Sequence, residues 1–479
     1  MNDRNEKHIM SKKRERTGRR LFRGLAVLFG AAVVIVGAWV LANSIDSDLR
    51  PWDPGLEPEA EGPMTGVRHE GWWALMGLQP GHLDATLSQG QKSWAAWNTA
   101  RQRVLALDEV TLVPVVPAAV RLDTASPLFC RPLHRCADSF RQGAAKLPDA
   151  LKIAAPVASA CVDIGRRTGF DEPVVRVPAA LSRPTPGMAL STCGRLWLAR
   201  MVLASQQGDA ASAFEAWNAL HQVSSGLFTG SQSTITGVVA ATWLQLAHAE
   251  APALVAAFPT LQPRVQTALA MPVPWREVSR RWWTDEGWVQ DRLLYEALDV
   301  GVTVGCVAQG QGLERCQRTN PGALPPKSKP VLPNLTRSEF REQYAAVVAA
   351  AQDDDPVMAL QRLKAQVRHQ SDDVLSRLHF RNTLGGILLS VSSLEASVDR
   401  YMRQSMDVEA TRQGAVLSLA VLSQRRQGVA LSESDVIRTA DGSVFLKGNI
   451  HCEGDCSHLV LRSWRVDAEA PQWRLLAGP

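Results

Sequence analysis

The chain has 479 residues, 46% of them hydrophobic, with a formal net charge of +5 and a pI near 8.8. That surplus belongs to the first 23 residues, which contribute +6; the remainder carries 43 basic against 44 acidic side chains. A nucleic-acid-binding domain carries its basic excess on the working surface, so this balance excludes nucleic acid as the expected partner, while the apolar content suffices for a sizeable core.

Residues 1–23 form a basic tail, and the uncharged run 24–43, "GLAVLFGAAVVIVGAWVLAN", follows it. A helix of roughly 20 apolar residues spans a bilayer, so the run reads as a transmembrane helix. Basic residues precede it and Asp46 and Asp48 follow. The positive-inside rule then leaves the N-terminus in the cytoplasm and the body outside. Val40-Leu41-Ala42 also imitates a peptidase site, so cleavage stays open as the alternative.

Residues 44–70 are rich in Pro, Gly and acid and read as a stalk, since each proline removes a donor and restricts its predecessor. From 71 to 309 the pattern is helical. Leu198, Met201, Val202 and Ser205 share one face; Gly208-Asp209 punctuates; Phe214, Trp217, Leu220 and His221 continue on the next helix. A third helix shows Ile235, Val238, Val239, Thr242 and Leu246 at the same spacing. The hairpin "LASQQGDAASAFEAW" resembles one tetratricopeptide-type unit, but no second copy recurs at a fixed period, and an ordinary antiparallel pair is the simpler reading.

Residues 310–337 are proline-rich and read as a loop or linker. Helical periodicity returns over 338–430, with helices expected at Phe340–Gln352, Pro356–Phe380, Leu384–Gln404 and Val408–Arg426. The last unit, 431–479, reads as β-rich. "VIRT", "SVFLKG", "HLVLRSWRV" and "QWRLL" are short strand-like runs, with Asp441-Gly442 as a hairpin turn. The expected fold is therefore mainly α: a transmembrane helix, a domain of antiparallel helical hairpins and a small C-terminal antiparallel sheet.

The catalytic motifs fail one by one. His69-Glu-Gly-Trp-Trp73 begins like a zinc-protease helix but has Trp73 where the second histidine belongs. Gly310-Gln-Gly312 lacks a third glycine and a strand–turn–helix context, and no nucleophile elbow or phosphate loop occurs. Asp353-Asp354-Asp355 stands before Pro356, where acids favour a helix start. No catalytic residue, metal ligand or cofactor is assigned. Trp282-Trp283, ringed by Arg280, Arg281, Asp285 and Glu286, is the candidate partner-contact surface.

The eight cysteines, Cys130, Cys136, Cys161, Cys193, Cys306, Cys316, Cys452 and Cys456, all follow the apolar run. An even number in an oxidising compartment reads as disulfides. Cys130 with Cys136 and Cys306 with Cys316 can each close a small loop, leaving Cys161 and Cys193 to pair by elimination. Connectivity stays open, because eight cysteines allow about 105 arrangements. "HCEGDCSH", residues 451–458, resembles a zinc ligand set, yet turn-forming residues between its thiols favour a Cys452–Cys456 staple.

The apolar run, "GWWALMGLQPG" soon after it, "RMVLASQQGDAASAFEAW", and "LGGILL" followed by "RYMRQSMDVEATRQGAVLSLAVL" together resemble a group of proteobacterial single-pass inner-membrane proteins with helical periplasmic domains. That resemblance covers most of the chain and implies topology; it carries no catalytic residue across. The expected function is a membrane-anchored periplasmic scaffold or protein-interaction platform, with the bilayer and an envelope protein as partners. The alternative is a periplasmic hydrolase or cell-wall-acting enzyme working through an unrecognised carboxylate pair.

Overall fold

The computed structural model describes residues 48–53, 56, 66–79, 83–105, 122–175, 184–298, 333–353, 358–359, 361–362, 394–429, 432–443, 445–454, 456–464 and 471–477. The run 24–43 lies outside them, as do most of the stalk, residues 310–332 and both Cys306 and Cys316. Among the described residues no helix is long and apolar enough to cross a membrane.

The chain is mainly helical with a three-stranded antiparallel sheet at its C-terminal end. In order, the helices are α1 (Glu70–Met76), α2 (Leu83–Leu105), α3 (Cys136–Gln142), α4 (Leu147–Ile153), α5 (Ala155–Gly165), α6 (Gly187–Gln206), α7 (Ala210–Gly230), α8 (Thr234–Ala257), α9 (Gln262–Leu269), α10 (Trp275–Leu298), α11 (Pro333–Gln352), α12 (Leu394–Arg426) and α13 (Glu433–Asp441). The strands are β1 (Ile450–Glu453), β2 (His458–Arg462) and β3 (Gln472–Leu476), in spatial order β1-β2-β3.

Helix α8 is the axis of the molecule. It is apolar nearly all round, the pattern of a helix buried on every side, and α6, α7, α12 and β3 pack against it. Ala240, Trp243, Leu244, Ala247, His248 and Ala251 are all buried along it. Its first turn differs: Ile235, expected on the buried face, is 66% exposed, and coverage becomes complete only further along the helix. Helices α6 and α7 form the expected hairpin. Gly208 takes φ +73°, which glycine adopts at least cost, and the Asp209 side chain caps α7 by accepting from Ser212 N at 3.0 Å.

Several boundaries differ from expectation, each for a physical reason. Helix α11 begins at Pro333, inside the segment expected as linker, because proline suits the first helical position. Helix α12 runs unbroken through residues 405–407, where a break was expected. Ser405 Oγ meets Ser279 Oγ at 2.7 Å, and Asp407 accepts from Trp464 N at 2.7 Å and from Ser463 Oγ, so these polar residues turn inward. "VIRT" is helix α13, not strand: Ser432 and Asp435 form a capping box, and Val436 and Ala440 bury one face. Gly442 accordingly caps that helix instead of turning a hairpin, and Phe445, Leu446, Lys447 and Gly448 of "SVFLKG" lie in turns. The unit expected to be β-rich from 431 therefore opens with a helix.

The segments expected as separate units share one core. A continuous buried cluster runs from Trp72 through α8 and α12 to Ala477. A second, smaller cluster gathers Leu56, Trp283, Phe340, Tyr344, Val347 and Val348 around α10 and α11.

Candidate functional site

Three disulfides join described cysteines. Cys130–Cys136 closes the turn ahead of α3, Cys161–Cys193 ties α5 to α6, and Cys452–Cys456 bridges the connection between β1 and β2. In the last, His451 opposes Val460 and Glu453 opposes His458, so alternation puts Cys452 on the other face from both histidines. The four side chains do not converge, and no group of three or more metal-type side chains gathers among the described residues. His69 of "HEGWW" is buried with Nδ1 2.7 Å from Asp171 O, a contact that ties α1 to the segment after α5.

Trp282 and Trp283 do not form the partner-contact surface expected of them. Both are buried. Trp282 donates Nε1 to Ser231 Oγ at 2.7 Å and lies so close to α8 that a Cβ on Gly237 would sit 1.9 Å from its ring. Trp283 belongs to the smaller cluster, stacked on Tyr401 at 6.2 Å, with Tyr344 Oη donating to its carbonyl. Adjacent positions on a helix point in different directions, so the two rings key α10 into two cores at once.

A catalytic carboxylate pair would need two acids facing one cleft, with at least one held away from its usual ionisation. The five buried acids among the described residues are instead all engaged. Glu172 accepts from Gln232 N and Ser233 N, each at 2.9 Å, fastening the start of α8. Asp291 takes Arg337 at 2.9 Å and Arg341 at 2.7 Å. Glu409 holds Arg412 at 2.6 Å and accepts from Val273 N at 2.9 Å. Asp407 anchors Ser463 and Trp464, and Glu250 meets Arg141. Burial raises the Glu250 carboxyl, with Arg141 opposing the shift.

Two histidines face each other between α7 and α8. His221 stacks on Trp217 with ring centres 5.2 Å apart, and His248 lies 5.5 Å from His221. From α12, Thr411 Oγ1 lies 3.4 Å from His248 Nδ1, and Arg412 adds a positive charge nearby. Burial pushes His221 down to about 4, and burial followed by the His221 and Arg412 charges holds His248 well below the usual imidazole range. With two ligating nitrogens flanked by a hydroxyl and a guanidinium, the pair makes a poor metal site.

Among the described residues a cleft of about 220 Å³ lies where α5, α6 and α7 meet. Val162, Gly165 and Arg166 contribute from α5, Trp197 and Arg200 from α6, and Glu215, Ala216, Asn218, Ala219 and Gln222 from α7. The spacings are helical: residues three and four apart share a face, so each helix presents one stripe. The floor is apolar, with buried Trp197 donating Nε1 to Cys161 O at 3.2 Å. The rim is polar. Arg166 Nη2 and Nε hold Glu215 Oε1 at 2.6 and 3.2 Å, and that contact raises the Arg166 pKa. Arg200, Asn218 and Gln222 make no side-chain hydrogen bond or ion pair among the described residues.

None of this rim was singled out from the sequence. The available signal was the polar stripe Glu215, Asn218 and Gln222, at i, i+3 and i+7, which runs beside the Phe214, Trp217 and His221 stripe on α7. Comparisons with protein-family models, curated proteins and solved structures found no match.

Proposed function

We propose that this chain is a membrane-anchored platform of the bacterial envelope. Residues 24–43 hold it in the inner membrane, the body faces the periplasm, and protein partners dock at the cleft between α5, α6 and α7. The observation that carries the reading is the distribution of charge. Every buried acid among the described residues is spent on holding elements together, while the cleft rim leaves donors without acceptors.

Three further features support it. Disulfides persist in oxidising compartments, and three join described cysteines. The basic tail and the apolar run that follows it have the composition of an anchor with a cytoplasmic N-terminus. A carboxylate-based hydrolase would need a second acid in the cleft, where Glu215 stands alone and is already held by Arg166.

Gentle detergent solubilisation of the full chain, followed by size-exclusion chromatography and mass spectrometry, tests the reading. A stoichiometric envelope protein eluting with the chain is the expected result. A strictly monomeric chain with nothing retained would overturn it.

A further inference from the structure

The cleft's chemistry specifies more than that a partner binds there. We infer that it receives a carboxylate of a partner polypeptide, with Arg200 as the anchoring charge; the inference rests on the platform reading above.

The lining holds two guanidiniums and one acid. Arg166 directs both Nη2 and Nε at Glu215, so that pair is close to neutral as a unit. Arg200, half-buried on α6, has no compensating acid among the described residues. A guanidinium presents a planar fork that matches a carboxylate through two parallel hydrogen bonds. It stands over an apolar floor, where a nearby charge is screened less than on an open surface.

The neighbours fit the same ligand. Asn218 and Gln222 line the cleft from one face of α7, and their amides have donors to offer and no partner among the described residues. A cationic group entering here would face Arg200 directly, and a purely apolar one would leave the guanidinium and both amides unmatched. Size narrows the class further. Pockets for small organic ligands run to about 300–1,000 Å³, and about 220 Å³ suits a single side chain or a chain end. Trp197, Gly165, Ala216 and Ala219 supply apolar contact for the methylenes that carry the carboxylate.

Saturation-transfer NMR on the full chain in nanodiscs tests this with end-capped alanine hexapeptides carrying a central Glu, Asp, Gln or Lys. A fifth peptide, all-alanine with a free C-terminus, distinguishes a chain-end carboxylate from a side-chain one. Saturation transfer to the Glu and Asp peptides or to the free-terminus peptide is expected, with Gln and Lys about tenfold weaker. Arg200→Ala should lower that affinity about tenfold, and Arg200→Lys should restore part of it. Gln222→Trp, at an exposed rim position, should block the cleft. Equal binding of the Glu and Gln peptides, no saturation transfer to any peptide, or Arg200→Ala binding like wild type would each overturn the assignment. The platform reading fails separately. If a partner co-purifies equally with wild type and Arg200→Ala, the carboxylate site is wrong and the platform stands. If peptides bind as expected but no partner is retained, the site stands and the platform reading falls.

Discussion

The α10–α11 interface and the α5–α6–α7 cleft use arginine in opposite ways. In the first, Arg337 and Arg341 close on buried Asp291, Arg341 also lies 4.8 Å from the Trp52 ring, and the ion cluster fastens one helix to the other. In the second, Arg200 sits at a concave rim with its charge uncompensated among the described residues. An arginine committed to structure comes with its acid; one left without an acid beside a cleft is available to something outside the fold. The contrast gives a graded set of expectations.

Removing the acid from the committed interface should have the largest effect. Asp291→Ala strands two guanidiniums in a mostly buried setting and should cost on the order of 3–5 kcal/mol, read as a lower urea midpoint by tryptophan fluorescence. An unchanged midpoint would mean the α10–α11 interface does not depend on its ion cluster. Next in size is the Cys161–Cys193 bridge, which spans 32 residues between α5 and α6 and thereby braces two walls of the cleft. Replacing both cysteines by alanine should cost about 2–4 kcal/mol, seen in the same titration.

The histidine pair comes third. Both rings are neutral in the folded chain, whereas the unfolded chain takes up protons below about pH 6.5. This contribution to stability is whole above that pH and is lost as pH falls toward about 4. The loss should be on the order of 1–3 kcal/mol, and His221→Phe, which keeps a ring on Trp217, should flatten the slope of melting temperature against pH across that window. Gly208→Ala should cost about 1 kcal/mol, since nothing obstructs a Cβ there and only the positive φ penalises it. Smallest of all, Arg200→Ala should leave stability within about 0.5 kcal/mol of wild type. A large loss there would erase the contrast by showing Arg200 to be a structural arginine too.

Local features were legible in the sequence to the extent that local physics decides them. Gly208-Asp209 turns and caps as its chemistry dictates, and the runs "HLVLR" and "QWRLL" pair as strands. Elements failed to be legible where distant partners changed the meaning of a residue. Ser405 and Asp407 look like a helix break until Ser279, Ser463 and Trp464 supply their buried partners. "VIRT" has β-branched character, but four residues of strand propensity are outweighed by a capping box and an amphipathic turn. Trp282 and Trp283 read as a polar-rimmed pair because their charged neighbours are adjacent in sequence, whereas the rings enter two cores that only the fold brings together. The cleft was the least accessible. Its lining comes from three helices, and the arginines on two of them look ordinary until the helices meet.

Strand β3 packs on α8 and α12, and Ser418 Oγ donates to Leu476 O. A helix laid down at mid-chain thus waits for residues more than two hundred positions later before its apolar surface is closed. Such distant contacts form late, because the loop between them must be ordered first. During synthesis α6, α7 and α12 can cover most of α8, while the strip that β3 packs on stays open until that strand is made. A chain that stalls before β3 leaves that strip of α8 open to chaperones and proteases, so a short contact between distant elements sets how long an apolar surface stays uncovered.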